Sequence, residues 1–455
     1  MDSPTYDTQG LQEAALFAWV ADQCGGTVVH STQTSGGNRC RSWAIDVAQP
    51  DGTVSEVFLR YAPPRPPGVE PYTLHREAQV YRAIAEAKLQ APRLLAEHPD
   101  IPAVLTDRAR GIAEFRRLHD PAAKQSIAAE LMDNLARLHR MDTTHVSLDG
   151  GGQGTRIVDH VRAELDIWQA MYAETDRPDA LIDLAFGWLR CSLPDPAGPP
   201  VLVHGDAGPG NFLFEQGRLT AVIDWELAHL GDPMEDIAWF SMRCVMEPVP
   251  DFSASIRDYE RFAGAPVDVT RVLYHRVFVS TRVLVIRHRN VTGEPAHAIV
   301  SRALNRRLLI EALAEAAGCG LPPVTPVEAA ETPQGTLFDT VLDDLRDTVV
   351  ARSTDSQVIA KAKNAAKVVK YLQALDRYGP AIAAADRSAL AGMADVGDER
   401  DIGPALDQGQ IGLPAALTYF AGQAARQAQL AASASGGIAH RHYPPLHPHL
   451  HPGQP

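Results

Sequence analysis

The sequence predicts an α+β protein in which strands come early and helices follow. Residues 27–61 alternate apolar with polar side chains, which is the pattern of half-buried strands. From residue 121 onward, apolar residues mostly recur every three or four positions, as they do along the buried face of a helix. Because 455 residues are too many for one ordinary hydrophobic core, we expect two or three domains.

The composition is that of a globular protein, with 45% hydrophobic and 22% charged residues. The formal net charge of -14 argues against a nucleic acid or an anionic membrane as a partner. The five cysteines form no Cys-x-x-Cys pair, so neither a zinc site nor a disulfide framework is expected. No apolar run approaches the ~20 residues that cross a bilayer, and the first residues show no basic-then-apolar leader, so we expect a cytoplasmic protein.

The first elements are predicted from their periodicity. A helix over residues 10–22 precedes three strands, and Asp51-Gly52 marks the turn between the last two of them. The strands are expected at residues 27–31, 35–47 and 54–61. After a Pro-rich connection we expect a helix at 73–87, short strands at 93–95 and 103–106, and a hinge at 107–111.

The remaining elements are mostly helical, with a strand hairpin among them. A helix buried along one side is expected at 121–141, and two more helical segments within 157–192. Strands are expected at 201–203, 212–214 and 219–223. Later helices are expected at 237–244, 253–262, 270–287 and 296–317.

The stretch from residue 201 to residue 226 carries the candidate chemistry. Its glycines and proline predict a loop that holds Asp206 and leads to Asn211, and the hairpin that follows returns Asp224 beside it. Phosphoryl transfer from a nucleotide needs a carboxylate that deprotonates the attacking hydroxyl, and oxygen ligands that hold Mg²⁺ on the phosphates. We interpret Asp206 as the base and Asn211 with Asp224 as the metal ligands. The alternative is an ordinary turn with a strand-end cap.

A wider set of residues around this stretch forms a family pattern. It comprises His204-Gly205-Asp206, Asn211, Asp224-Trp225-Glu226 and Gly231-Asp232-Pro233 with Asp236. With these residues the sequence resembles the aminoglycoside phosphotransferase and choline kinase superfamily, over about residues 10–320. It is most similar to bacterial phosphotransferases related to the kinase-like domain attached to some acyl-CoA dehydrogenases.

This resemblance implies a protein kinase-like, two-lobed fold, with ATP or GTP as co-substrate and Mg²⁺ as cofactor. It implies that Asp206 is the catalytic base and that Asn211 and Asp224 hold magnesium. It also implies that Asp236 braces the backbone of the catalytic loop, while His204 shapes that loop rather than moving protons.

A glycine pair between the first two strands is a candidate phosphate-binding turn. Gly36 and Gly37 would let backbone amides approach nucleotide phosphates, and Asn38 could donate to them. A plain turn is the alternative.

A kinase also needs a cation on its third strand, held by a glutamate on the next helix. Because no lysine precedes Lys88, the cation in this region must be an arginine. We predict that Arg60 pairs with Glu77; a solvent-facing Glu77 is the alternative. Guanidinium keeps the charge of lysine but presents a planar fork instead of a compact ammonium.

Several side chains are candidates for contact with an acceptor substrate. Glu226 and Asp232 are two of them. Four tryptophans could line an acceptor pocket, although core packing is the alternative for each. They are Trp168, Trp188, Trp225 and Trp239.

The carboxyl-terminal part is predicted to be a small helical domain with a tail. A helix at 358–378 is expected to end at Gly379-Pro380. Its lysines predict a solvated face, or else a site for an anionic ligand such as a CoA phosphate; they are Lys361, Lys363, Lys367 and Lys370. The His- and Pro-rich tail is expected to be disordered.

The predicted organisation has five parts. They are a nucleotide-binding lobe (1–109), a catalytic and acceptor lobe (110–320), a linker (321–335), a helical accessory domain (336–430) and the disordered tail (431–455). The predicted function is a small-molecule kinase that phosphorylates a hydroxyl, in a hydroxyacyl-CoA or a related metabolite. The alternatives are a nucleotide-binding, catalytically weak scaffold and an antibiotic kinase for aminoglycosides or macrolides. The expected partners are a nucleotide and a small-molecule acceptor, with no nucleic acid and no membrane; a homodimer is left open.

Overall fold

A computed structural model of the protein describes residues 8–34, 40–64, 68–289, 295–393 and 396–446. The chain divides into two compact units. The first is formed by Met1–Glu164 with Pro196–Val267, and the second by Leu165–Asp195 with Asp268–Pro455. The predicted class, strands followed by a largely helical remainder, is confirmed. The five domain boundaries stay a prediction.

A five-stranded antiparallel sheet lies at the start of the first unit, in the spatial order β1-β2-β3-β5-β4. The strands are β1 (Thr27–Thr34), β2 (Arg41–Ala48), β3 (Val54–Tyr61), β4 (Leu94–Glu97) and β5 (Ala103–Asp107). Every second residue of β2, namely Trp43, Ile45 and Val47, is buried on one face. Leu16 and Val20 of helix α1 (Thr8–Cys24) pack in the same cluster. Helix α1 therefore covers one face of the sheet.

Helix α2 (Leu74–Ile84) begins at a side-chain cap. The Thr73 hydroxyl accepts from the Arg76 N–H at 3.2 Å, which satisfies one of the donors that a helix start leaves open. The helix packs against β4 and β5 and turns Glu77 inward, with 1% of its side chain exposed. The predicted Glu77 therefore lies in the interior rather than in solvent.

The first unit also contains two short strand pairs. Strand β6 (Val201–Val203) pairs with β9 (His229–Gly231), and β7 (Phe212–Glu215) pairs with β8 (Arg218–Val222). Helices α6 (Met234–Met246) and α7 (Phe252–Ala263) follow β9 in the chain. Helix α3 (Pro121–His139) buries the stripe predicted from its spacing and packs against β6, β8 and α7. Helix α4 (Ile157–Ala173) runs from this unit into the second.

The second unit is helical. Its helices are α5 (Ala180–Cys191), α8 (Val269–Arg289), α9 (Pro295–Ala316), α10 (Gly335–Asp343), α11 (Ser356–Ala391), α12 (Ile402–Asp407) and α13 (Leu413–Ser435), and a π-helical segment (Asp344–Val350) continues α10. Helix α9 packs against α8 and α13, and α13 packs against α11. Among the described residues, no helix combines the length and the apolar character that crossing a membrane requires.

The predicted end of a helix at Gly379-Pro380 is wrong, because α11 continues through Pro380 to Ala391. An interior proline costs roughly 3 kcal/mol, since it removes a hydrogen bond and clashes with the preceding turn. Packing on α13 offsets that cost. Ile382 lies in one apolar cluster with Leu430 of α13, and Asp386 pairs with Arg426 at 2.5 Å.

The tail is ordered further than the sequence predicts. Helix α13 runs on to Ser435, and the hydroxyl of Tyr443 lies 2.7 Å from that of Ser280. Arg276 donates to the Pro444 carbonyl at 2.6 Å. The predicted disorder is therefore wrong for residues 431–446, because the aromatic and backbone groups of this segment find partners on α8. Residues 447–455 lie outside the described residues.

Candidate active site

The loop between β6 and β7 holds Asp206, and its backbone is held by α6. Asp236 of α6 is fully buried, and its carboxylate accepts from the His204 N–H at 2.8 Å and from the Gly205 N–H at 2.9 Å. Gly205 has φ +77°, and a β-carbon there would overlap the Leu227 carbonyl oxygen. The loop therefore starts in a conformation that only glycine accommodates, and a buried carboxylate fixes it.

The imidazole of His204 ties this loop to the end of β8. Its Nδ1 accepts from the Asp206 N–H at 3.2 Å, so the ring proton is on Nε2 and is donated to the Ile223 carbonyl at 3.0 Å. Both ring nitrogens thus contact backbone groups. This arrangement suits a loop-shaping residue and leaves no ring nitrogen for proton transfer.

The β7–β8 hairpin brings Asn211 and Asp224 together at its open end. Phe212 pairs with Val222, and the Ile223 N–H donates to the Asn211 carbonyl at 3.0 Å. The Asn211 side-chain amide donates to the Asp206 carbonyl at 2.8 Å, which leaves its oxygen for another partner. Asp224 has the left-handed conformation (φ 67°, ψ 60°), and its side chain is 38% exposed.

The predicted ion pair of Arg60 and Glu77 is present. Nη1 of Arg60, on β3, lies 2.7 Å from Oε1 of Glu77, on α2. The same guanidinium contacts Asp224 at 3.4 Å and Glu226 at 3.1 Å. Burial raises the pKa of the Glu77 carboxyl, while the charge of Arg60 acts in the opposite direction. Arg60 thus joins the sheet to the segment that carries Asp224.

The thiol of Cys40 belongs to the same cluster. Burial raises its pKa to about 11, against the opposing effect of the Arg60 charge. The thiol is therefore neutral at physiological pH and forms no ion pair with Arg60. The predicted phosphate-binding residues Gly36, Gly37 and Asn38 precede it and lie outside the described residues.

The structure adds one residue that the sequence analysis missed. Nε of Arg243, on α6, donates to Oδ1 of Asp206 at 2.8 Å, and its Nη2 donates to Oδ2 of the same carboxylate. Burial lowers the pKa of Arg243, but the carboxylates of Asp206 and Asp224 raise it above its ordinary value, so the guanidinium stays charged. A signal was available, because Arg243 follows Asp236 by two helical turns and so shares its face of α6.

The donor set at the hairpin fits a magnesium ion. An amide oxygen of Asn211 and a carboxylate of Asp224 are hard oxygen ligands, and Mg²⁺ uses only one or two protein ligands besides phosphates and water. Within the described residues, no group of three or more His, Cys, Asp or Glu side chains could hold a metal. Such a group is not what a magnesium–nucleotide site requires.

The two predicted acceptor contacts, Asp232 and Glu226, have different surroundings. Asp232 is fully buried and accepts from the Met234 N–H, at the start of α6, at 2.9 Å. Glu226 pairs with Arg60 at 3.1 Å. Contact of either residue with an acceptor stays a prediction. Among the tryptophans, Trp168, Trp225 and Trp239 are buried, as expected from core packing.

Comparisons with known proteins agree on one family. A family model described as phosphotransferase enzyme family matches residues 34–268. The chain is 34% identical over 125 residues to acyl-CoA dehydrogenase family member 11 of Rattus norvegicus, a match that covers 27% of this chain and 16% of that protein. It is 29% identical over 208 residues to hygromycin-B 4-O-kinase of Escherichia coli, covering 42% of this chain and 60% of that protein.

A solved structure of similar fold is macrolide 2′-phosphotransferase of Brachybacterium faecium. It is 21% identical, with a TM-score of 0.45, over 68% of this chain and 99% of that one. The match to the rat protein thus spans about a sixth of that protein's length.

Proposed function

Because the chain belongs to the phosphotransferase enzyme family, we propose that it is a small-molecule kinase. It transfers the γ-phosphoryl group of ATP or GTP to a hydroxyl group of the acceptor. The observation that carries this proposal is the convergence of Asp206 with Asn211 at one end of the β7–β8 hairpin, where Asp224 also lies. A carboxylate base beside an oxygen-ligand pair is what phosphoryl transfer requires.

In this reaction Asp206 orients the acceptor hydroxyl and takes its proton as the oxygen attacks the γ-phosphorus. The bond from the γ-phosphorus to the bridging oxygen breaks, and the nucleoside diphosphate leaves. Magnesium, held by Asn211 and Asp224, would neutralise phosphate charge when bound. Arg60, fixed by Glu77, adds positive charge at the phosphates.

For the acceptor we propose a hydroxylated acyl-CoA. Support comes from the similarity to acyl-CoA dehydrogenase family member 11, whose name specifies acyl-CoA chemistry. The second candidate is an aminoglycoside, favoured by the similarity to hygromycin-B 4-O-kinase. Incubation of the protein with Mg-ATP and each compound class, followed by mass spectrometry for a gain of one phosphate, separates the two. A phosphorylated aminoglycoside without a phosphorylated acyl-CoA would overturn the first assignment.

The phosphotransferase proposal itself is tested by Mg²⁺-dependent ATP hydrolysis. We expect Asp206→Ala to reduce the rate by about 100-fold or more, since general-base catalysis contributes about 10²–10⁴-fold. Asp258→Ala serves as the control, because Asp258 pairs with the exposed Arg261 one turn later on α7. Equal rates in Asp206→Ala and the wild type would refute the enzyme proposal and favour the alternative, a nucleotide-binding scaffold.

A further inference from the structure

We propose that Arg243 is a positioning residue, which fixes the orientation of the Asp206 carboxylate and acts through it. This inference rests on the proposed function, in which Asp206 is the base that receives the hydroxyl proton. It assigns a role in the reaction to a side chain on α6 that belongs to none of the sequence motifs.

The first observation is the geometry of the contact. Nε of Arg243 reaches one oxygen of Asp206 at 2.8 Å while Nη2 reaches the other, so the two groups form a two-pronged pair. Such pairs are strong and fix the plane of the carboxylate as well as its position. A base that must face a hydroxyl in one direction benefits from this restriction.

The second observation is that the loop is built around the Arg243 side chain. A β-carbon on Gly208 would lie 2.6 Å from the Arg243 β-carbon, and one on Gly210 would lie 3.4 Å from its Nη1. Both glycines have positive φ, +139° and +98°. The backbone can approach the arginine stem this closely at residue 208 only because that residue has no side chain, while at residue 210 glycine is favoured by its positive φ.

The third observation is a division of roles along α6. Asp236 holds the amides of His204 and Gly205, whereas Arg243, two turns later, holds the side chain of Asp206. One helix therefore sets both the backbone path of the loop and the direction of its carboxylate. Loss of Arg243 leaves the backbone hydrogen bonds of Asp236 in place and releases the base.

The test compares Arg243→Gln and Arg243→Lys with Arg257→Gln. Arg257 is the matched control, since it lies on α7 with 54% of its side chain exposed. We expect Arg243→Gln to lower kcat for Mg²⁺-dependent ATP hydrolysis by about 10- to 100-fold, part of the contribution of a general base, with KM for ATP within about twofold. Arg243→Lys keeps the charge but not the fork, and should fall between Arg243→Gln and the wild type.

A double-mutant cycle shows whether Arg243 acts through Asp206. In an Asp206→Asn background, Arg243→Gln should change the residual rate by less than about twofold, because residues that act as a unit are not additive. The same fold-loss in both backgrounds, or an unchanged kcat in Arg243→Gln alone, overturns the proposal.

Hydrogen exchange separates this proposal from the proposed function. Amides of residues 206–208, 210 and 211 should exchange at least about tenfold faster in Arg243→Gln than in Arg257→Gln, since opening of the loop costs less without the ion pair. Equal exchange rates overturn the positioning role, whatever the activity. If Asp206→Ala hydrolysed ATP as fast as the wild type, the proposed kinase function would be refuted. Faster loop exchange in Arg243→Gln would still support the contact between Arg243 and Asp206.

Discussion

Replacement of Asp236 by alanine tests whether a buried carboxylate holds the catalytic loop. Asp236 has no exposed surface and accepts from the amides of His204 and Gly205 at 2.8 and 2.9 Å. Nε2 of His139 lies 3.0 Å from the same carboxylate. Alanine leaves at least two buried amide donors without an acceptor, and each such donor costs about 1–3 kcal/mol. The expected loss in the free energy of unfolding is therefore about 2–6 kcal/mol, twice the cost of one donor.

The measurement is equilibrium unfolding in urea, monitored by tryptophan fluorescence. Asp236→Asn retains one acceptor oxygen and should lose about half as much as alanine, because one of the two amides keeps a partner. The control, Asp258→Ala, should change the free energy of unfolding by no more than about 0.5 kcal/mol, as a surface substitution does. A loss below about 1 kcal/mol in Asp236→Ala would show that water or another group replaces the carboxylate, and would refute the reasoning.

Three further substitutions have expected outcomes. Arg60→Lys keeps the positive charge but loses the second prong of the guanidinium, which contacts Glu226. The KM for ATP should therefore rise roughly tenfold, which is the effect of losing one charge-assisted hydrogen bond of about 1.5 kcal/mol. An unchanged KM in steady-state kinetics would contradict this. Gly208→Ala forces a β-carbon against Arg243 and should lower both kcat and the melting temperature, whereas Gly187→Ala, a helical position with open space, should lower neither. Pro380→Ala should raise the unfolding free energy of the second unit by up to about 3 kcal/mol, since the interior proline costs that much; destabilisation in urea would show that the proline is required.

The strands and the hairpin could be predicted because their signals are local. Alternation on β2 reports directly which face is buried, as Trp43 and Ile45 show. The Arg60–Glu77 pair joins residues 17 positions apart, but the need for a cation on the third strand singled out both. Periodicity was sufficient for the strands, whereas the Arg60–Glu77 pair also needed the resemblance to a kinase.

The features that were missed depend on tertiary packing. Pro380 is a strong local stop signal, and α11 overrides it only because Ile382 and Asp386 meet α13. The tail contains no periodic pattern, yet Tyr443 finds a hydroxyl partner 163 positions away. Arg243 lies 37 residues from Asp206, and only the shared helix face with Asp236 connects the two in sequence.

The carboxylates around residue 60 are arranged for an arginine rather than a lysine. An ammonium is a compact point charge, whereas the guanidinium meets Glu77 through Nη1 and Glu226 through Nη2. Among its contacts to carboxylates of the described residues, the one to Asp224 is the longest, at 3.4 Å. We infer that this contact is the one that nucleotide and Mg²⁺ would break most readily. Asp224 would then be available to hold the ion, while Glu77 and Glu226 would keep Arg60 directed at the phosphates.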